Sequence, residues 1–305
     1  MLGGICVVNR TLSPVSCAAI IVLLPFQAGA AGAQDALEAD RKDKGQYTLF
    51  NPTPTDLMRE MSTDRPDATE SPFTVDAGHV QFETTQFGYT KSRPDQSSVV
   101  TQSYEFATTN IRVGLTNNTE VNFIWQPYGV VRMRDPIAVT RSFGIGGLEL
   151  RAKVNLWGND TFAAPGSTAL GILPFVNIPT DRFNGISPDY VKGGVLVPIA
   201  IKLSNKFSLG LMTGVEVVHN DISRGYHAEY VNTTSLSYEW TDKLGTYYEV
   251  ATRFGTRDPR GDIVMLGTGI TYTLKKNVQF DAGVNFGITR AADRINPFVG
   301  LSMRF

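Results

Sequence analysis

The chain is poor in cysteine and histidine, and beyond its beginning it has no long apolar run. It contains two Cys and three His among 305 residues, and both cysteines, Cys6 and Cys17, lie in a leader-like segment. A mature chain without cysteine has neither a disulfide nor a thiol nucleophile. The absence of 18 consecutive apolar residues after residue 33 excludes a second helical membrane span. A formal net charge of −1 gives no electrostatic support for nucleic-acid binding.

Residues 1–33 are predicted to be a secretory signal peptide. Arg10 is their only charged residue, residues 15–26 form an apolar run, and residues 31–33 match an A-x-A cleavage pattern. The run is too short to cross a bilayer as a helix. An exported protein without a later helical span is periplasmic, secreted or an outer-membrane barrel.

The rest of the chain divides into a polar extension and a region of alternating residues. The extension covers residues 34–77 and is rich in Pro and Asp, which suits a periplasmic or lumen-inserted segment. From residue 78 to 305 the apolar residues recur with period two, which is typical of strands. The candidate strands lie near 79–90, 102–115, 119–131, 146–157, 168–178, 192–203, 206–218, 229–240, 243–254, 262–274, 277–288 and 296–305.

The strand pattern predicts an all-β fold, a transmembrane antiparallel up-and-down β-barrel of about 12 strands. The strands are long enough for an outer membrane, which about 9–11 tilted residues cross. Short turns such as 117–118 and 275–276 alternate with longer polar loops, including one near 132–145, as up-and-down barrels require. The connection at 158–167 breaks this rule, because it is long on the short-turn side. A soluble β-sandwich or a periplasmic barrel is the alternative, since half-buried strands of soluble sheets alternate in the same way.

The end of the chain resembles a barrel's closing strand. Phe305, Met303 and Leu301 share one apolar face, while Arg304 and Ser302 lie on the other. We expect this face to touch outer-membrane lipids and to be read by the barrel-assembly machinery. An even strand number predicts that both mature termini are periplasmic, in the bacterial outer membrane.

Polar faces of the predicted strands carry charges of both signs. On the lipid face an Arg or Lys near the midplane would cost about 2–4 kcal/mol, so we place these residues in the lumen. They support two interpretations, a hydrated polar pore and a network of ion pairs that fills a narrow barrel. The candidates are Glu83, Glu105, Glu149, Arg151, Lys153, Lys192, Lys202, Glu216, Glu239, Glu249, Arg253, Asp281 and Arg304.

The extension contains one dense polar cluster, at residues 64–70. Asp64, Arg65, Asp67 and Glu70 could form a plug or gate by pairing with lumen charges. The alternative is an entry strap that Pro66 and Pro72 stiffen, which needs no partner.

Catalysis and metal binding have little support in the sequence. Ser223, His219 and Asp221 could be drawn as a Ser-His-acid set on the outer rim, but they share one loop without a base on a rigid strand. Histidine pairs at metal-ligand spacing and paired thiolates are missing. We therefore predict a protein that is not an enzyme, without cofactor or metal.

Four segments resemble a known family. They read STDRPDATESPF at 62–73, VDAGHVQFE at 75–83, LPFVNIPT at 173–180 and QFDAGVNFG at 279–287. They are similar to the outer-membrane transporter family associated with the phenol-degradation (meta-cleavage) pathway. The first motif is the most specific, and the likeness runs from about residue 48 to the end. The resemblance implies a barrel with a transport role, and aromatic or hydrophobic compounds as its small-molecule substrates.

The sequence thus favours a passive outer-membrane channel for small molecules. A barrel with a closed lumen and a structural or adhesive role is the second hypothesis, and a hydrolase on the outer rim is the third. Conductance would separate the first two.

Overall fold

A computed structural model describes residues 44–220 and 224–305, which form a closed antiparallel β-barrel. Two 3₁₀ turns, Lys44–Gln46 and Thr55–Leu57, precede it. The strand segments are β1 Val80–Lys91, β2 Val100–Thr116, β3 Thr119–Trp125, β4 Tyr128–Arg134, β5 Val139–Gly144, β6 Leu148–Trp157, β7 Thr168–Ile178, β8 Lys192–Lys202, β9 Phe207–His219, β10 Tyr226–Glu239, β11 Leu244–Phe254, β12 Ile263–Lys275, β13 Val278–Gly287 and β14 Ile295–Arg304. The predicted signal peptide, residues 1–33, lies outside the described residues.

The 14 strand segments make 12 crossings of the barrel wall, because β3 with β4, and β5 with β6, each form one interrupted crossing. The long strand β2 pairs with β3 along its second half and with β4 along its first half. β3 pairs with β6, and β4 pairs with β5. β3 and β4 are therefore one crossing broken at 126–127, where Pro127 cannot donate a ladder hydrogen bond. The predicted barrel of about 12 strands is confirmed.

The predicted polar loop near 132–145 is wrong, because strand pairing continues through most of it. β4 and β5 form a hairpin whose turn is only 135–138. The Asp135 carboxylate accepts hydrogen bonds from the backbone N–H groups of Ile137 (2.7 Å) and Ala138 (2.6 Å). Asp side chains commonly close turns in this way, so the polar residues here belong to a tight hairpin.

The barrel closes between its first and last strands. β1 pairs with both β14 and β2. Phe305 donates its N–H to the Val80 carbonyl at 2.8 Å, and its ring meets the edge of Phe82. This end also contains the turns at 117–118 and 276–277, and we call it the short-turn end. The opposite end is the long-loop end.

Side chains on the wall alternate between an apolar outer face and a polar inner face. On β13, Phe280 and Phe286 are 45% and 43% exposed, whereas Asp281 between them is 5% exposed. Large exposed apolar residues on most of the strands are the pattern of a barrel that meets lipid. Among the described residues, no helix is long and apolar enough to cross a membrane.

One position reverses the alternation of β2. Ala107 has a φ of 54°, and the pairing with β1 skips from Thr108 to Phe106 across it. Gln86 of β1 is skipped opposite Ala107, so the register between the two strands is unchanged, but both strands turn their following side chains to the opposite face at this point. Glu105 and Arg112 therefore both point inward although their numbers differ in parity.

Candidate functional site

Residues 44–77, which we call the luminal segment, begin at the mouth of the barrel, where Phe50 is 93% exposed, and run inside it from about residue 59. They are anchored at the short-turn end. Thr48 and Thr116 form an isolated antiparallel β-bridge, and the Thr53 N–H donates a hydrogen bond to the Ala77 carbonyl at 2.9 Å. The segment then rises beside the wall to residues 65–70 and returns to β1.

The unusually long connection at 158–167 contributes to this anchor. Asp160 pairs with Lys44 at 2.9 Å and with Arg59 at 3.4 Å. Burial alone would raise the pKa of Asp160, but the hydrogen bonds from Asn117 and Lys44 and the charge of Arg59 lower it. Phe162 of the same connection packs edge-on against Phe73 of the luminal segment. The connection is long because it contacts the segment beneath the barrel mouth.

The segment is bound mainly to the wall formed by β1, β2, β3, β6, β13 and β14, which we call the charged wall. Its centre is Arg112, whose side chain is fully buried. The Arg112 guanidinium bonds to Glu83 at 2.7 Å and to Glu120 at 2.9 Å. It also donates to the backbone carbonyls of Ser62 and Phe73. Arg112 therefore joins the rising and returning parts of the segment.

Two further ion pairs connect the segment to this wall. Lys153 Nζ lies 2.5 Å from the Asp64 carboxylate, with both side chains almost fully buried. Arg65 donates to both oxygens of Asp281, at 2.7 and 3.2 Å, and contacts Thr85. Gly300 makes room for this guanidinium, since a Cβ there would lie 2.2 Å from an Arg65 nitrogen. Separating the two members of a buried ion pair is strongly destabilising. The segment is therefore held in the one position that keeps both of these pairs.

The tip of the segment, residues 67–70, reaches across the lumen. Thr69 Oγ1 lies 2.7 Å from Thr233 Oγ1 and donates to Glu249 at 2.6 Å. Ala68 N–H also binds Glu249, at 2.9 Å. Glu70 pairs with Arg151 at 2.5 Å, and Arg151 pairs in turn with Glu149 at 2.5 Å. Burial and the nearby Glu249 charge raise the pKa of Asp67, a residue of the segment and not of a spanning strand, to about 7.

The wall across the lumen is largely uncharged between its two ends. We call this the neutral wall and define it by Leu173, Leu196, Ala200, Gly210, Met212, Ser235 and Ser237. Leu173, Leu196 and Met212 form an inward apolar cluster, each buried to 6% exposure or less. The part of this wall formed by Ala200, Gly210, Ser235 and Ser237 borders a cavity of about 330 Å³ beside the luminal segment. Its lining runs from Thr69 and Asp67 down to Gly245 and Gln279 near the short-turn end, so only the tip contacts close it above.

Charged clusters border the neutral wall at both ends. Toward the long loops, Arg253 pairs with Glu216 at 2.6 Å and with Glu229 at 2.9 Å. At the short-turn end, Lys202 lies 3.6 Å from Glu239, whose side chain is 56% exposed. Glu239 is therefore at the mouth of the barrel, while the other predicted lumen charges of these clusters lie inside.

The sequence-predicted site residues thus fall into connected groups, and three important charges were missed. Arg112, Glu120 and Glu229 were absent from the predicted set although each is at least 93% buried inside the barrel. Simple alternation along β3 and β10 would have found Glu120 and Glu229. Local alternation in the second half of β2 would have found Arg112, because Ile111, Val113 and Leu115 form the apolar face there.

Of the predicted outer-rim Ser-His-acid set, the structure describes only His219. Asp221 and Ser223 lie outside the described residues. The ring of His219 stacks on Tyr190, with centroids 3.6 Å apart. Within the described ranges, no group of His, Cys, Asp and Glu is arranged to hold a metal ion.

Comparison with known proteins gives a family and a fold. A family model described as "Putative MetA-pathway of phenol degradation" matches residues 63–305. An outer membrane channel from Pseudomonas putida F1 is similar with a TM-score of 0.59 and 12% identity, over 80% of this chain and 100% of that one. The NanC porin has a TM-score of 0.46 and 8% identity, over 73% of this chain and 98% of its own. The toluene transporter TbuX of Ralstonia pickettii has 0.40 and 9%, over 74% and 89%. A search of curated proteins finds no match.

Proposed function

The chain belongs to the family described as "Putative MetA-pathway of phenol degradation", and from this premise we propose that it is a diffusion channel of the bacterial outer membrane. Small, mainly uncharged molecules of the phenol class are its proposed cargo. The luminal segment is its gate, and both mature termini face the periplasm. The family supports the cargo class, and the P. putida channel supports the outer-membrane fold.

The observation that carries the proposal is the contrast between the two walls. The luminal segment is bound to the charged wall through the buried ion pairs of Asp64 and Arg65, so that wall offers no free path. The neutral wall borders a cavity of about 330 Å³ that only the tip contacts close. A phenol-sized molecule fits this volume. The lining is mixed, with hydroxyl groups such as those of Ser208 and Ser237 and apolar side chains such as Ala200 and Leu209, so it offers a phenol both polar and apolar contacts. Release of the tip would extend the cavity toward the long-loop end.

A reversible crosslink tests the gate. Thr69→Cys with Thr233→Cys would join the tip to the neutral wall, where the two hydroxyl oxygens are 2.7 Å apart. We expect phenol flux into liposomes and single-channel current to fall when the disulfide forms and to recover after reduction. Both native cysteines lie in residues 1–33, so the introduced pair is unambiguous once that leader is removed.

The control is a crosslink that leaves the tip free. Ser62→Cys with Ser71→Cys joins two residues of the segment whose hydroxyls lie 2.9 Å apart. This variant should conduct equally before and after reduction. Equal flux through the oxidised and reduced forms of the tip-to-wall variant would contradict the gate. Absence of any phenol flux in every form would favour the closed structural barrel.

A further inference from the structure

The outer face near the long-loop end has a row of cations across neighbouring strands. Arg132 of β4 lies directly opposite Arg141 of β5. On the other side Arg132 is opposite Gln102 of β2, which is opposite Lys91 of β1. We call Lys91, Arg132 and Arg141 the cation row, and Arg134 follows two residues beyond Arg132.

Contacts on the two faces of the hairpin show that this row points outward. Val131 faces inward. The loop between β7 and β8 packs on the inner face of β4, where Ile186 lies against Gly129, and a Cβ on Gly185 of this loop would lie 3.8 Å from the Val131 side chain. Arg132, the next residue, therefore lies on the opposite face. The hydrogen bond from Gln102 to the Tyr89 hydroxyl, at 2.8 Å, places Gln102 on the same outer face as the tyrosines.

The cation row is unusual because its charges are alike and unpaired. Directly opposite residues of an antiparallel pair have Cβ atoms about 4.5–5.5 Å apart, and like charges in these positions are destabilising. In the described parts of the chain, none of Lys91, Arg132, Arg134 and Arg141 forms an ion pair with an acidic side chain. The Asp135 carboxylate in the same hairpin instead accepts the backbone N–H groups of its own turn. The row therefore repels itself unless an external anion binds.

The residues beneath the row place it at the level of lipid headgroups. Aromatic side chains form a belt on the outer face just below it, with Tyr89 against Tyr104 and Phe106 against Phe87 and Tyr128. Such belts mark the membrane interface of barrels. From Phe82 to Lys91, β1 rises about 30 Å along its axis, which a tilt of about 35–45° reduces to roughly 23 Å across the membrane. This matches the roughly 25 Å apolar band of such barrels.

We propose that the cation row is a binding site for the phosphate groups of an outer-leaflet glycolipid of the lipid A class. This proposal rests on the orientation given under the proposed function, with the long loops outside. Two adjacent guanidinium groups match the oxygens of one phosphate, since Arg binds phosphate through paired N–H donors. The aromatic belt packs against the acyl chains below, and the phosphate removes the repulsion between Arg132 and Arg141.

Lipid binding to the purified barrel in phosphatidylcholine nanodiscs tests the site. Lipid A with two phosphates and a phosphate-free form of the same lipid would be titrated, and bound lipid counted by native mass spectrometry. We expect the wild type to prefer the phosphorylated lipid by at least tenfold. Arg132→Gln with Arg141→Gln should lose most of this preference. Inorganic phosphate should not compete, because it lacks the acyl chains that the aromatic belt contacts.

A matched variant controls for net charge. Lys275→Gln with Lys276→Gln removes two cations at the short-turn end, and it should keep the preference. Arg132→Lys with Arg141→Lys keeps the charge without the paired donors and should give an intermediate value. Heat-modifiable gel mobility checks that each barrel is closed. An unchanged preference in the Gln pair, an equal loss in the Lys275/Lys276 variant, or competition by inorganic phosphate would overturn the site. Phenol flux in phosphatidylcholine is measured separately, so its failure counts only against the channel.

Discussion

The two sides of the lumen differ in their residues and in how they contact the luminal segment. The charged wall contains Arg112 and Lys153, which are fully buried and bonded to carboxylates of the wall and of the luminal segment. The neutral wall has Leu, Met, Ala, Gly and Ser in these positions, and its hydrogen bonds to the segment come from the tip. Buried ion pairs are poor sources of stability but define one geometry well. The charged wall therefore positions the segment, and the neutral wall leaves space beside it.

Removing the luminal segment should have the largest effect on this contrast. Deletion of residues 34–72 would leave the charged wall lining an open bore, because a barrel of this strand number is too wide to be filled by wall side chains alone. We expect a severalfold rise in single-channel conductance, measured in planar bilayers against the full chain. Unchanged current after the deletion would show that the segment does not restrict the lumen.

Single substitutions on the two walls should differ in their effect on stability. Arg112→Met leaves Glu83 and Glu120 buried without their partner, and we expect the free energy of unfolding to fall by about 3–5 kcal/mol. Ser237→Ala on the neutral wall should change it by less than about 0.5 kcal/mol, since the Ser237 side chain lines the cavity and forms no hydrogen bond with another described side chain. Urea titration of both variants in detergent measures the difference. Similar losses in the two would remove the distinction between the walls.

Filling the cavity beside the neutral wall should affect phenol flux more than the stability of the barrel. Ser237→Phe places a ring in the cavity, and we expect phenol uptake by liposomes to fall severalfold while unfolding changes little. Leu236→Phe is the matched control, because Leu236 is on the same strand and faces outward, 37% exposed. Normal uptake by the Ser237 variant would place the path elsewhere in the lumen.

The smallest expected effect is a dependence on pH. In the closed position the pKa of Asp67 is raised to about 7, by burial and by Glu249, from an ordinary 3.8. A released Asp67 ionises from about pH 4 upward while the bound form keeps its proton until about pH 7. Closing is therefore favoured at low pH and weakens as the pH rises through this window.

Two other carboxyl groups of the segment bear on the same measurement. Burial raises the pKa of Glu70, an effect with the same sign as that of Asp67. Burial also acts to raise the pKa of Asp64, but Arg112 and Lys153 lower it, so Asp64 does not titrate between pH 5 and 8. Open-channel probability should increase from pH 5 to pH 8 in the wild type, and less in Asp67→Asn. An equal increase in both proteins would assign the effect to other groups.

The sequence predicted the strands of the barrel wall better than the position of the luminal segment. Strict alternation locates β7, β8 and β13 almost to the residue, because each inner position repeats every second residue. The continuation of this hairpin from residue 132 to 144 was missed because Arg132, Arg134 and Arg141 make its outer face polar, as a loop would be. The luminal segment has no periodicity, and its position depends on partners such as Asp281 that are far away in the sequence. Its acidic residues could be recognised, but their contacts could not.

The closing seam has a consequence for the order of assembly. β1 completes its hydrogen bonds only when β14 is present, since Gln81 pairs with Arg304. The luminal segment depends on the same event, because Arg65 binds Asp281 of β13 and Asp76 binds Arg304 of β14. Contacts between residues so far apart in the chain form late in folding. The luminal segment is thus expected to dock last, and its docking depends on correct pairing of the final strand.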